Sequence, residues 1–132
     1  MKSLEELKQQ EKNKHTELFH KVGLFWAFSN QQFQENKTPL KEGEKYVSIG
    51  AGGYLPKGNV DQFLKGMEDI KKWYNGEIKK NKSEEAEIIY ELYNHECFYT
   101  NDISDVIEMF EGTYTREQII KAYYKEMKKV NA

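Results

Sequence analysis

Residues 46–64, YVSIGAGGYLPKGNVDQFL, contain the change of period on which the fold turns. Tyr46-Val47-Ser48-Ile49 has the aromatic and β-branched composition of a strand, and Gly50-Ala51-Gly52-Gly53 interrupts it. From Asn59, which can cap a helix with Gln62 in its first turn, the spacing becomes helical. Val60, Phe63, Leu64, Met67, Ile70, Tyr74 and Ile78 fall within an arc of roughly 120° at about 100° per residue, the stripe of a helix lying on a core. Gly66 falls on the opposite side, where a polar, exposed face is expected.

Working outward toward the N-terminus, Leu24-Phe25-Trp26-Ala27-Phe28 is a continuous apolar run bounded by Gly23 and Ser29, which reads as a buried strand. It is expected to pair with Tyr46–Ile49. Ser29 and Gln32 have the form of a cap for a brief helix carrying Phe33, and residues 34–43, with Pro39, read as a loop. Ser3 and Glu6 form a capping box that starts a helix, and Gly23 stops it. After Leu7 no apolar side chain appears until Leu18, so residues 1–22 are expected to form a partly solvated helix.

Toward the C-terminus, Ser83 opens a helix with Ala86, Ile88, Ile89, Leu92 and Tyr93 on its inner side. A short helix over Ile103–Phe110 ends at Gly112. Thr115 and Gln118 cap a last helix whose stripe is Ile119, Ile120, Tyr123, Tyr124, Met127 and Val130. The sum is an α+β fold, helix-dominated, with a small two- or three-stranded antiparallel sheet, expected as a single domain over residues 1–132.

The chain has 132 residues, and its 38% apolar and 14% aromatic shares supply enough buriable surface for a core, which argues against disorder. It has no apolar run of the ~18 residues needed to span a bilayer, and MKSLEELKQQEKNK lacks the apolar centre of a signal peptide, so a cytoplasmic protein is expected. A single cysteine, Cys97, excludes an internal disulfide and a Cys-only zinc site.

Gly50–Gly53 stands between a strand and a helix, where phosphate loops also stand. Its spelling matches none of them: Lys57-Gly58-Asn59 is not the Gly-Lys-Ser/Thr ending of a P-loop, and Leu55 occupies a glycine position of a dinucleotide fingerprint. A turn or bulge is the plainer reading. The densest chemistry lies in Asn94-His95-Glu96-Cys97-Phe98-Tyr99-Thr100-Asn101-Asp102. If the preceding helix continues through it, Glu96 projects into the apolar arc as a general acid or base. Tyr99 replaces the second histidine of a His-Glu-x-x-His helix, and neighbouring His, Glu and Cys side chains diverge, so no metal, cofactor or catalytic residue is assigned. His95, Glu96 and Asp102 remain open as ligand-binding residues or as polar anchors, with Asp102 placed to cap the helix that follows.

Charge is distributed unevenly. The total of 20 basic and 22 acidic side chains conceals a stretch, residues 83–112, with nine carboxylates and no Lys or Arg: Glu84, Glu85, Glu87, Glu91, Glu96, Asp102, Asp105, Glu108 and Glu111. One arginine and a net charge of −2 argue against a general nucleic-acid binder. The acidic stretch either neutralises lysine-bearing helices inside the fold or forms a surface that docks on a basic partner, with Glu84, Glu87, Glu91, Glu108 and Glu111 as its charges and Tyr90 and Tyr99 as its anchors.

The segments Phe25-Trp26-Ala27-Phe28-Ser29-Asn30-Gln31-Gln32-Phe33, Lys45-Tyr46-Val47-Ser48-Ile49-Gly50 with Pro56, and Asn94-His95-Glu96 with Asp102 resemble an uncharacterised family of small phage and prophage proteins. This chain has Thr100-Asn101-Asp102 where that family has Thr-Gly-Asp. The resemblance implies a bacterial host and a mobile element. Joined to the acidic stretch, it leads to the expectation of a non-enzymatic, anti-CRISPR-like protein. Such a protein would block a host defence complex, a CRISPR effector or its guide-RNA complex, by occupying a basic surface, with no membrane and no sequence-specific nucleic acid among its partners. Two alternatives differ in kind. One is a small ligand-binding domain or enzyme using His95, Glu96 and Asp102 with Gly50–Gly53, for example to sequester a nucleotide, and the other is a homo-oligomer.

Overall fold

In the computed structural model, which describes residues 1–130, α1 runs over Leu4–Val22 and is followed by β1 (Phe25–Trp26), α2 (Asn30–Asn36), β2 (Tyr46–Gly50) and β3 (Gly53–Pro56). A 3-10 turn (Lys57–Asn59) leads to α3 (Val60–Lys80), then come α4 (Glu84–Asn94), α5 (Cys97–Thr100), α6 (Ser104–Met109) and α7 (Arg116–Val130). The architecture is α+β, dominated by helix, with one three-stranded antiparallel sheet of order β1-β3-β2. The described residues divide into two compact units, residues 5–76 and residues 1–4 with 77–130.

The strand order corrects the expected pairing. β1 and β2 do not meet, because β3 lies between them, with Phe25 opposite Tyr54 and Ser48 opposite Tyr54 from the other side. The glycines therefore lead into a strand, not directly into a helix. Ala51 and Gly52 take positive φ of 51° and 81°, as a two-residue hairpin turn of the I′ kind requires, and the register shifts between Ser48 and Gly50. β3 is short of intrinsic strand formers, and side chains from its neighbours complete it. A Cβ on Gly53 would lie 2.8 Å from the Trp26 ring and 2.9 Å from Ile49, so those two side chains occupy the space that Gly53 leaves.

Each face of the sheet has its own cover in the residue 5–76 unit. Phe33 of α2 stands edge-on to Tyr46 and Tyr54, which with Phe25 complete a four-ring cluster. Ser29 accepts from the Gln32 N–H, and Gln32 accepts in return from the Phe28 N–H, so the expected cap forms reciprocally. α2 continues to Asn36, shortening the expected loop. On the other face Leu55 packs with Val22, Leu24 and Phe63, bringing α1 and α3 onto the sheet. Gly23, at φ 75°, closes α1 with a Leu24 N–H bond back to the Phe19 carbonyl.

Three burial expectations change. Phe28, placed within the buried run, is 76% exposed because β1 is only two residues long. Leu64, placed on the inner arc of α3, is 58% exposed. Gly66, assigned to an exposed face, lies under Leu18 of α1, and a Cβ there would come within 2.5 Å of Leu18 Cδ1. Its smallness lets α1 and α3 approach closely. Asn59 ends the 3-10 turn, with its amide donating to the Val22 carbonyl at 2.9 Å.

In the other unit Ile88, Leu92, Cys97, Val106, Phe110, Ile119, Ala122 and Tyr123 form the core, drawn from α4, α5, α6 and α7. The cap of α7 forms as read, Gln118 N–H to Thr115 Oγ1 and Thr115 N–H to Gln118 Oε1. α4 is rotated from its expected setting. Its buried residues are Glu87, Ile88, Glu91 and Leu92, while Ala86 is exposed and Tyr93 is half exposed.

Candidate functional site

That rotation divides the acidic stretch into two parts with different environments. Along α4 the carboxylates turn inward. Glu87, 5% exposed, accepts from the Tyr114 hydroxyl at 2.9 Å, and Glu91, 6% exposed, lies 3.5 Å from His95 Nε2. Burial, then the Glu87 charge, pushes the Tyr114 hydroxyl far up from its ordinary value. Glu84 is half-buried, and its Oε1 has no hydrogen-bond donor among the described residues. Glu85 pairs with Lys125 of α7 at 2.7 Å, and that bond holds its carboxyl below the usual range. Glu87 and Glu91, expected among the charges of a docking surface, are buried and bonded within the fold. A buried carboxylate with a bonded donor serves the fold.

Past α4 the carboxylates face solvent. Glu96, Asp102, Asp105, Glu108 and Glu111 are all exposed, and none is ion-paired among the described residues. No Lys or Arg occurs within residues 96–111, and Arg116 lines the same cavity as Glu108 and Glu111 without an ion pair among the described residues. The acidic stretch therefore has two parts: pairing and bonding within the fold along α4, and exposed carboxylates on α5, α6 and their flanks.

The shape of that surface comes from strained backbone. α4 stops at Asn94, so Glu96 does not project into the apolar arc as expected. It is exposed and adopts a left-handed conformation, φ 56°, and Asn101 does the same at φ 59°. These two residues bracket the single turn of α5, burying Cys97 and leaving Tyr99 89% exposed. Asn101 is held by the Tyr123 hydroxyl at 3.1 Å. Tyr93, Glu96, Phe98 and Tyr99 line a cleft of about 380 Å³. Phe98 stacks on Tyr123 at 5.3 Å, and Tyr93 packs on Phe98 at 4.7 Å with its hydroxyl donating to Glu126. The exposed Tyr93 was not singled out as an anchor, although its place beside Tyr90 and Tyr99 in the sequence offered the signal.

The remaining candidates take separate places. Asp102 accepts from the Ser104 N–H at 2.9 Å and from the Ser104 hydroxyl, which lowers its carboxyl from the ordinary value and secures the start of α6. His95 faces Glu91. Glu108 and Glu111 line a cavity of about 520 Å³ with Ile107, Tyr114 and Arg116. Tyr90 is 46% exposed. Among the described residues no three His, Cys, Asp or Glu side chains gather as a metal site. In the Gly50–Gly53 turn the seats beside Gly52 and Gly53 are filled by Phe28, Trp26 and Ile49.

Left-handed conformations cost a non-glycine residue roughly 1–2 kcal/mol. Glu96→Gly is accordingly expected to raise unfolding stability by about 0.5–1 kcal/mol once the extra backbone freedom of glycine is subtracted, as a urea titration would show. A loss of stability would mean that the Glu96 side chain itself holds the turn.

No helix of the described residues is long and apolar enough to cross a membrane. No curated protein and no solved structure matches the chain. The chain belongs to a family of unknown function, DUF7659, whose model matches residues 7–130.

Proposed function

We propose, starting from a family that brings no activity with it, that this chain is a non-enzymatic binding protein whose surface over residues 93–111 docks on a Lys- and Arg-rich partner. The observation that carries this reading is that Glu96, Asp102, Asp105, Glu108 and Glu111 are all exposed and without a salt bridge among the described residues, with Tyr99 exposed in the same stretch of chain. Negative charge steers a basic partner and sets its orientation, while exposed tyrosines, with few side-chain torsions to fix, supply contact area at small entropic cost. The residues carrying the charge are Glu96, Asp102, Asp105, Glu108 and Glu111, which keep Glu108 and Glu111 from the set read in the sequence and replace Glu84, Glu87 and Glu91. The finer form of the proposal takes a phage setting and a nucleic-acid-directed defence complex as partner. It rests on the phage-like motifs and on the fact that a channel built for a polyanion is lined with basic side chains.

The test is affinity capture from a bacterial lysate with the natural chain, a Glu96→Lys, Glu108→Lys, Glu111→Lys variant and Tyr99→Ala as baits. The expected result is a partner retained by the first, released as salt rises, and reduced about tenfold or more with the second or with Tyr99→Ala. Equal retention by all three baits would remove the docking surface from consideration.

A further inference from the structure

The cleft beside α5 combines two kinds of group that act on the same class of ligand. Three of its lining residues, Tyr93, Phe98 and Tyr99, are aromatic, and the fourth is Glu96. The backbone of the turn after α4 ties them together. The Glu96 N–H donates to the Tyr93 carbonyl at 3.0 Å, and the Glu96 carbonyl accepts from the Tyr99 N–H at 3.0 Å, so both tyrosines are anchored to the residue that carries the carboxylate. Phe98 stacks on Tyr123 with 12° between the ring planes and meets Tyr93 at 44°, and the Tyr93 hydroxyl is bonded to Glu126.

The negative charge at this cleft has no counterpart within the chain. Glu126, the other carboxylate near Tyr93, is engaged by that hydroxyl and by Lys129 at 3.6 Å. The Glu96 side chain has neither an ion pair nor a hydrogen bond among the described residues, and no Lys or Arg lines the cleft. Aromatic faces attract a cation, and a carboxylate beside them adds a full opposite charge with two acceptor oxygens. An anion would meet repulsion from both.

Shape and hydration select among cations. Tyr99 is 89% exposed, so the cleft is too open to enclose a free small molecule, whose sites bury most of the ligand surface. A cation presented on a larger body needs no such enclosure. Of the two cationic side chains a protein can present, the guanidinium is planar, weakly hydrated and suited to lying flat on a ring, and its fork matches both oxygens of a carboxylate. The lysine ammonium is a compact, strongly hydrated ion that must give up more water for the same contact.

We infer that the cleft receives an arginine side chain of the partner protein, with the guanidinium against the aromatic rings and its N–H groups donating to the Glu96 carboxylate. The inference rests on the docking reading and names the residue that is recognised at one point of that surface. Arginine and tyrosine are the residue types on which binding energy concentrates at interfaces, and this cleft brings them into contact.

Titration of the full chain with N-acetyl-arginine amide, followed by NMR at the ring protons of Tyr93, Phe98 and Tyr99, tests the inference without a captured partner. The three rings should shift together and saturate. N-acetyl-lysine amide and tetramethylammonium should bind about threefold or more weakly, and the neutral N-acetyl-citrulline amide should give no saturating shift. Glu96→Gln and Tyr99→Ala should each weaken the arginine complex by about threefold or more. Rings of the natural chain that do not move would overturn the inference, whether or not a variant folds. Equal or tighter binding of the lysine or tetramethylammonium probe would overturn it as well, as would tighter binding of free arginine, which would mark a metabolite site. The two readings fail separately: unmoved rings with capture still lost in the charge-reversed bait remove the arginine alone, and equal capture by all three baits removes the docking surface.

Discussion

Gly52→Ala is expected to lower stability by about 2–3 kcal/mol, the largest effect of any substitution in the turn between β2 and β3. Two causes combine there. Gly52 has φ of 81°, which costs an L residue roughly 1–2 kcal/mol, and a Cβ would lie within 3.0 Å of three atoms of the Phe28 ring. Phe28, already largely in water, must swing off the turn and lose its contact there, a repacking cost on the order of 1 kcal/mol. The neighbouring glycines separate the causes. Gly50 has φ of 89° with nothing within 4 Å, so Gly50→Ala reports backbone strain alone. Gly53 lies outside the left-handed region, yet its Cβ would meet Trp26 and Ile49, so Gly53→Ala reports packing alone. Urea titrations of the three variants should rank Gly52→Ala as the most destabilised. A Gly52→Ala variant no weaker than Gly50→Ala would show that the Phe28 ring is not seated on the turn.

Leu92→Ala is expected to cost about 2–5 kcal/mol, enough to leave much of the chain unfolded at physiological temperature. Leu92 is fully buried among side chains from all four helices of its unit, including Cys97, Val106 and Ile119. Four elements meeting at one side chain cannot all move inward to close the cavity. Tyr99→Ala, a larger truncation in the next helix, should change stability by only about 0.5 kcal/mol or less because the ring stands in water. Calorimetry of the pair would check both values. A neutral Tyr99→Ala also makes the docking experiment interpretable, since lost capture then reports lost contact.

Local bonding was readable from the chain. The reciprocal caps at Ser29 with Gln32 and at Thr115 with Gln118 involve residues three apart, and spacing alone identifies them. The α+β class follows from the change of period after Gly53. β3 was hidden because it looks like a turn, with Gly53 at one end and Pro56 at the other, and tertiary contacts from Trp26 and Ile49 complete it. Gly66 was misplaced for a related reason. Periodicity records where apolar side chains lie, whereas a close helix approach selects for the absence of a side chain, which no hydropathy scale registers. In the acidic stretch, Glu87 and Glu91 could not be told from Glu108 and Glu111 by residue type. Tyr114, twenty-seven positions away, is what makes Glu87 an inward residue.

The placement of Cys97 gives the chain an internal clock. Its thiol is fully buried, and burial followed by the Asp102 and Asp105 charges pushes it up from its ordinary value, so in the closed molecule it is chemically silent. With one cysteine in the chain, every alkylation event records an opening of the helical core around it. The pace of labelling under native conditions therefore measures how often that core breathes, in the natural protein and with no probe added to it.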